Sequence, residues 1–397
     1  MARSNFLEWA HLKPSNKGLV ALYWVQLLKN FARKLVAFFV PIYLFKLGME
    51  LWGGLVPALS LVFWFYLSYR LVFFIVLFPA ARAIRQFGYR WSVLVGTLLW
   101  VGFFLMLSMV ETNVWLLLPA VVLMGLSTPL YWLSYHTLFT EEGEVDHFGG
   151  AVGWMAILES LSAIVGPFVG AVIATVLGFK ALFWVGVIIG LLSAMPLFYL
   201  KHHKHADKVS FKEMVEWLKE ARFRKASFSF VGRYIYDAMS SVVWPVYVFL
   251  VVGDLERTGL IFSLVMIVSV MAVVVAGKVF DKSHSKGVFA VGSVVTAIFW
   301  LVRATLSTFG QILVVDGIDK VNSAFYWLPY NAFMYLRAKG KQAFSFMVYR
   351  EFFISLGGAV FWGLLLLMVQ YEWRWYVIFG VGAVGVMMSQ FILEREE

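Results

Sequence analysis

Apolar runs of about 20 residues, each long enough to cross a ~30 Å hydrocarbon layer as a helix, recur along this chain from end to end. No other feature restricts its fold so tightly. Hydropathy places twelve of them, at 18–47, 51–78, 91–110, 114–138, 150–178, 181–200, 227–251, 257–277, 287–307, 311–336, 343–370 and 373–393. The short alternating segments of an outer-membrane barrel do not occur. Hydrophobic residues fill 61% of the 397 positions and charged residues 14%, against roughly 45–50% and 25% in soluble domains. The expected class is an all-α membrane protein with twelve transmembrane helices. The opening MARSNFLEWAHLKPSNKG lacks an apolar core and a small-residue cleavage site, so the first span is expected to act as its own insertion signal.

Charge sets the orientation. With loops alternating from an inside N-terminus, 21 Lys/Arg fall in the tails and loops of one side and 4, Lys46, Lys180, Arg257 and Arg374, on the other. This asymmetry predicts cytoplasmic termini in a cell membrane and accounts for the net charge of +10 without a nucleic-acid partner. Trp52, Trp115, Trp373 and Trp375 fall at outer ends, as interfacial anchors do. The absence of cysteine excludes disulfides, a thiol nucleophile and thiolate metal sites.

The chain repeats itself. YWLSYHTLF from Tyr131 and YWLPYNAFM from Tyr326 align Tyr131 with Tyr326, Trp132 with Trp327, Tyr135 with Tyr330 and His136 with Asn331, in spans four and ten. PIYLF from Pro41 matches PVYVF from Pro245 in spans one and seven, and Glu159 and Gly166 match Glu351 and Gly358 in spans five and eleven. Each echo links span n to span n+6, so the copies cross in the same direction, which predicts two six-helix bundles related by a parallel pseudo-repeat. Expected units are 1–200, a basic linker at 201–226, and 227–397. Within the linker, Val209 to Phe223 reads as an amphipathic helix on the cytoplasmic membrane surface, with Phe211, Met214, Val215, Trp217 and Leu218 on its apolar side.

This organisation resembles the major facilitator superfamily. Gly153, Ser162, Gly166, Pro167, Gly170 and Ala171 in span five look like its antiporter motif, with Ser162 and Ala171 in place of two glycines. The loop GKVFDKSHSK from Gly277 is similar to the family's gating motif through Gly277, Asp281, Lys282 and Lys286. The loop after span two keeps Gly88 and Arg90 but has Arg85 where the family has its acid. The resemblance implies that spans one, four, seven and ten line a central cavity.

Thirteen ionisable residues lie inside the spans, which is costly unless they face water or each other: Lys29, Arg33, Lys34, Arg70, Arg233, Arg303, Lys320, Arg350, Glu159, Asp237, Asp316, Asp319 and Glu351. Spacing of four puts Lys29 and Arg33 on one helix face, and Arg233 and Asp237 on another. Lys29, Arg33 and Arg233 are therefore candidates for an anion site, with Tyr131, Trp132, Tyr135, His136, Tyr326, Trp327, Tyr330 and Asn331 around the substrate path. Asp237, Glu159, and Glu351 beside Arg350 have the composition of proton-coupling groups. The alternative for each base is a structural ion pair, and for each ring plain aromatic packing. Arg303 and Asp316 read as a structural pair or gate, and Lys34 and Arg70 as snorkelling or water-facing groups.

The expected function is secondary active transport of a small solute by alternating access, proton-coupled as antiport or efflux, with an anionic or amphiphilic substrate. A lipid flippase, or a transporter-like sensor or scaffold, is the alternative. No nucleotide-binding G-x4-G-K-[ST] and no H-E-x-x-H occur, and the HHKH from His202 lies in the linker, so neither an enzyme nor a cofactor or metal is expected. Expected partners are the solute, protons and membrane lipids, with the protein a monomer.

Overall fold

The structure, a computed structural model, describes residues 17–142, 148–199, 209, 211–283, 286–338, 343–371 and 374–393. Among them there is no strand. The helices are α1 (Lys17–Leu35), α2 (Val40–Trp52), α3 (Leu55–Phe87), α4 (Tyr89–Leu107), α5 (Leu117–Glu142), α6 (Phe148–Val176), α7 (Gly178–Ala194), α8 (Phe211–Lys219), α9 (Ala221–Ala238), α10 (Trp244–Val252), α11 (Leu255–Ser283), α12 (Lys286–Val302), α13 (Phe309–Ala338), α14 (Ala343–Gln370) and α15 (Trp375–Ser389). Spans one and seven are each made of two helices, α1 with α2 and α9 with α10.

Eleven of the spans are long and apolar enough to cross a membrane by length and composition. The twelfth, α13, is 30 residues long and carries Asp316, Asp319 and Lys320, the charges that set it apart. The crossings fall where hydropathy puts them, with one correction. Span two runs on to Phe87 rather than ending near 78, because Arg82 and Arg85 continue the helix beyond the apolar stretch. Gly88 then turns the chain with φ 84°, a conformation open to glycine, straight into α4.

Spans one and seven are broken at the same place in the repeat. A 3-10 turn at Ala37–Phe39 precedes Pro41, and a π turn at Met239–Val243 precedes Pro245. Proline has no N–H, so the carbonyl four residues earlier loses its helical donor and the helix rewinds. One sequence rule thus produces two different local solutions.

The bundles meet along two interfaces that the repeat interchanges: α3 on α14, and α6 on α11. At the first, Trp362 stacks on Tyr66 with centroids 5.1 Å apart and Gln370 Nε2 donates to Ser60 Oγ at 2.8 Å. At the second, Gly259 of α11 lies so close to α6 that an added Cβ would be 2.5 Å from the Pro167 carbonyl oxygen and 2.6 Å from Ala171 Cβ. The Phe168 N–H, next after Pro167, donates to Ser263 Oγ of α11 at 3.1 Å. The antiporter-like motif therefore serves close packing, with Gly166 and Gly170 against span one at Lys34–Leu35 and Pro167 and Ala171 against span eight.

The linker helix is shorter than the sequence suggests and packs on protein. Phe211 meets Phe78 of α3 and Phe352 of α14, Met214 is buried, and Trp217 stacks on Phe223 at 5.1 Å. Val215, assigned to the apolar side, is exposed.

Candidate functional site

Lys29 and Arg233 each lie 12 residues into their helices, α1 and α9, or about 18 Å at 1.5 Å per residue, which is mid-membrane. Their surroundings repeat. Lys29 Nζ sits 3.1 Å from the Tyr131 ring centre and 5.0 Å from that of Trp100. The Arg233 guanidinium sits 5.5 Å from Tyr326, 5.2 Å from Tyr330 and 5.4 Å from Tyr236. Each cation is thus held on the ring that opens the repeated phrase, attracted by the ring quadrupole.

The framework behind the rings repeats as well. Gly96 of α4 lets the Tyr131 backbone approach, an added Cβ being 2.9 Å from Tyr131 N, and Gly292 of α12 does the same for Phe325 and Tyr326, at 2.8 Å from the Phe325 carbonyl oxygen. Ser127 Oγ donates to the Gly96 carbonyl at 2.7 Å, and Asn322 Nδ2 to the Gly292 carbonyl at 3.1 Å. Ser127 and Asn322 occupy equivalent positions in the repeat. Sequence comparison missed this pair because the shared feature is a donor, not a residue type.

Acids and bases are distributed as follows. Arg33 Nη2 meets Glu159 Oε1 at 3.1 Å, with 41% and 48% of the side chains exposed. Arg233 Nε meets Asp237 Oδ2 at 3.0 Å, with Asp237 51% exposed. Arg350 meets its neighbour Glu351 at 3.2 Å. Charged groups exposed at this depth face water rather than lipid, so Arg33, Glu159 and Asp237 mark an aqueous cavity between the bundles. At the face opposite the chain ends, α2 packs on α10, with Phe45 and Phe249 6.4 Å apart. At the face that bears Lys17 and Leu393 the bundles also touch, with Tyr89 and Phe344 6.3 Å apart, while among the described residues α1 and α9 make no contact comparable to that of α2 and α10.

Lys29, Lys34, Arg70 and Lys320 have no carboxylate within ion-pair distance among the described residues. Arg70 neither snorkels nor faces water. Its Nε donates to Tyr234 Oη at 2.8 Å, across the bundles, and Trp362 Nε1 donates to the same oxygen at 2.7 Å. Arg303 and Asp316 do form a structural pair, buried and joined by Asp319.

The rings differ from expectation in one respect. Tyr131, Tyr135, Tyr326 and Tyr330 are fully buried, so they back the cations rather than line open space. Trp132 and Trp327 are half-buried, Trp132 lying 5.8 Å from the Arg33 guanidinium; Asn331 is also half-buried. Arg90 lies over Trp91, 5.4 Å away. The side chains of His136, Asp281 and Lys282, and the surroundings of Gly153 and Gly277, lie outside the described residues. Trp100, Tyr236, Tyr234 and Trp362 were missed because no motif surrounds them.

Comparison with known proteins bears on the family and the fold. A Bacillus subtilis (strain 168) chain called "Uncharacterized protein YqgE" is 23% identical over 361 residues, covering 87% of this chain and 81% of that one. A crystal structure of a D-xylose-proton symporter superposes with a TM-score of 0.74 at 14% identity, covering 95% of this chain and 97% of that one. A POT family transporter in complex with a thioalcohol-conjugated peptide gives 0.73 at 12% identity, covering 95% of each. The Escherichia coli fucose:proton symporter gives 0.62 at 13%, covering 94% and 97%. The protein is a multi-pass membrane protein with the fold of secondary transporters. Residues 22–253 match the sequence profile of the Major Facilitator Superfamily, and with twelve spans arranged as two parallel repeats around a charged cavity the chain belongs to that family.

Proposed function

We propose that this protein is a secondary active transporter that carries a small organic anion across the cell membrane by alternating access, coupled to protons and operating as antiport or efflux. The observation that carries this reading is the symmetric placement of Lys29 and Arg233 at one depth, on equivalent tyrosines, with Lys29, Lys34, Arg70 and Lys320 lacking a carboxylate partner among the described residues. A low-dielectric cavity with surplus positive charge favours carboxylate or phosphate groups. Arg33 joins the site when its exposed ion pair to Glu159 opens, at little cost because exposed pairs contribute about 0–1 kcal/mol. Asp237, Glu159 and Glu351, each beside an arginine, are the candidate proton carriers. Two of the proteins of similar fold are proton symporters, which supports coupling to protons without fixing its direction.

In this reading residues 1–200 and 227–397 rock as units joined by 201–226, with the chain ends cytoplasmic. The test is a melting-temperature screen of purified protein against organic anions, cations and lipids, since a ligand that binds the folded state raises its stability. Organic anions are expected to raise it, and stabilisation by cations or lipids alone would remove the anion site.

A further inference from the structure

A second group of charges lies between spans seven, nine and ten. Arg303, in the turn after α12, reaches two carboxylates of α13: Nη2 donates to Asp316 Oδ1 at 2.8 Å and to Asp319 Oδ2 at 2.7 Å, and Nε donates to Asp316 Oδ1 at 3.3 Å. Asp316 Oδ2 accepts from Trp244 Nε1 at 2.6 Å. The three charged side chains are 3%, 1% and 1% exposed. One guanidinium faces two carboxylates here, so full ionisation would leave a buried net negative charge.

The cluster is also unsatisfied. Asp319 Oδ1, Arg303 Nη1 and Trp300 Nε1 are buried without a hydrogen-bond partner among the described residues, and Trp300 is the ring on which the Arg303 guanidinium lies, at 4.2 Å. A bare carboxylate oxygen shielded from water is costly, and two carboxylates sharing one site do not both ionise readily. Asp316 has both oxygens engaged, so Asp319 Oδ1 is the open position. A metal ion does not fit: hard cations take six or more oxygens, whereas three of the four carboxylate oxygens already accept from nitrogen donors. A proton needs only the one that remains.

We propose that the Arg303–Asp316–Asp319 cluster is a proton site, with the proton on Asp319 Oδ1. The step is the addition of one proton from water to a carboxylate. The charged groups that reach Asp319 are Arg303, Asp316 and Lys320, with Tyr236 of α9 reaching Arg303. Span eight meets α13 through Ala272, Ala276 and Ala324, and α10 presents Trp244 and Tyr247. Lys320 forms no ion pair with Asp319 and is within electrostatic reach of Lys34 on span one.

The cluster is wired to the cavity. Arg233 lies over Tyr236 at 5.4 Å, Tyr236 meets Trp300 edge-on at 6.4 Å, and Trp300 carries Arg303. Span seven also holds both ends, with Asp237 before its π turn and Trp244 after it. Movement of span seven around an anion on Arg233 would therefore shift the Trp244 contact to Asp316, and with it the proton on Asp319. This consequence rests on the transporter reading; the proton itself does not.

The test is infrared spectroscopy of the protonated-carboxyl stretch in purified protein at neutral pH. The wild type should show the band, Asp319→Asn should lose it, and Asp237→Asn, Glu159→Gln and Lys320→Gln should keep it. Asp319→Asn should also fold, since an amide replaces a neutral acid, and in vesicles its gradient-driven transport should fall by about tenfold or more while exchange without a gradient persists. A band unchanged in Asp319→Asn, failure of that variant to fold, or appearance of a new band in Lys320→Gln would each overturn the assignment. Anion-induced stabilisation measured on the same preparations reports the cavity reading separately.

Discussion

The Lys29 ammonium stands 3.1 Å from the ring centre of Tyr131, and the Arg233 guanidinium lies 5.5 Å from that of Tyr326, the equivalent ring of the repeat. If these two cations share one anion, Lys29→Met and Arg233→Met should each weaken its binding by about 1.5–3 kcal/mol. The double variant should cost less than the sum of the singles, because groups engaging one ligand are coupled. Affinity and melting temperature on the same preparations decide the matter: intact affinity with collapsed stability would make both bases structural.

Gly96→Ala and Gly292→Ala should each lower stability by roughly 1–3 kcal/mol, the cost of forcing a methyl into packed backbone. Gly363→Ala and Gly380→Ala, where an added Cβ meets nothing within 4 Å, are the controls and should be neutral. Equal melting temperatures for all four variants would refute the packing equivalence of the two repeats.

Tyr234→Phe removes one oxygen that accepts from both Arg70 and Trp362. Leaving the buried Trp362 N–H and the part-buried Arg70 Nε–H unpaired should cost about 1–3 kcal/mol for the first and less for the second. Thermal denaturation of Tyr234→Phe against Trp362→Phe, which strands no donor, should show the first as the more destabilised.

Arg303→Met strands Asp316 and should destabilise by roughly 3–5 kcal/mol. Arg33→Met leaves Glu159 facing water and should change stability far less. Melting curves that rank the two the other way would place the buried pair, not the exposed one, in the cavity.

Orientation is tested by cysteines introduced into a chain that has none. Thr112, Asp254 and Thr308 should label from outside, and Arg85 and Lys219 only after the membrane is opened. External labelling of Lys219 would invert the assigned sidedness.

Much of the architecture follows from local properties. Run length fixes the crossings, because a helix must span the hydrocarbon layer, and even-numbered echoes such as Pro41 with Pro245 fix the parallel repeat. The YWLSY and YWLPY phrases carry the rings on which the two mid-membrane cations lie. The count of eight bases against five acids located a charged interior but not its partners.

Pairing is a property of three dimensions. Arg303 takes two acids where composition allows one each, Arg33 takes Glu159 from another span, and Arg70 takes a tyrosine from the other bundle. The sequence by itself determined the membrane class, the twelve crossings, the repeat and which residue types face one another across it, since these depend on hydropathy and spacing along one chain. Only the tertiary structure decided which charges are neutralised and which carboxylate oxygen is left bare. Those depend on the crossing and close approach of helices far apart in sequence, where a shift of one helical turn exchanges one partner for another.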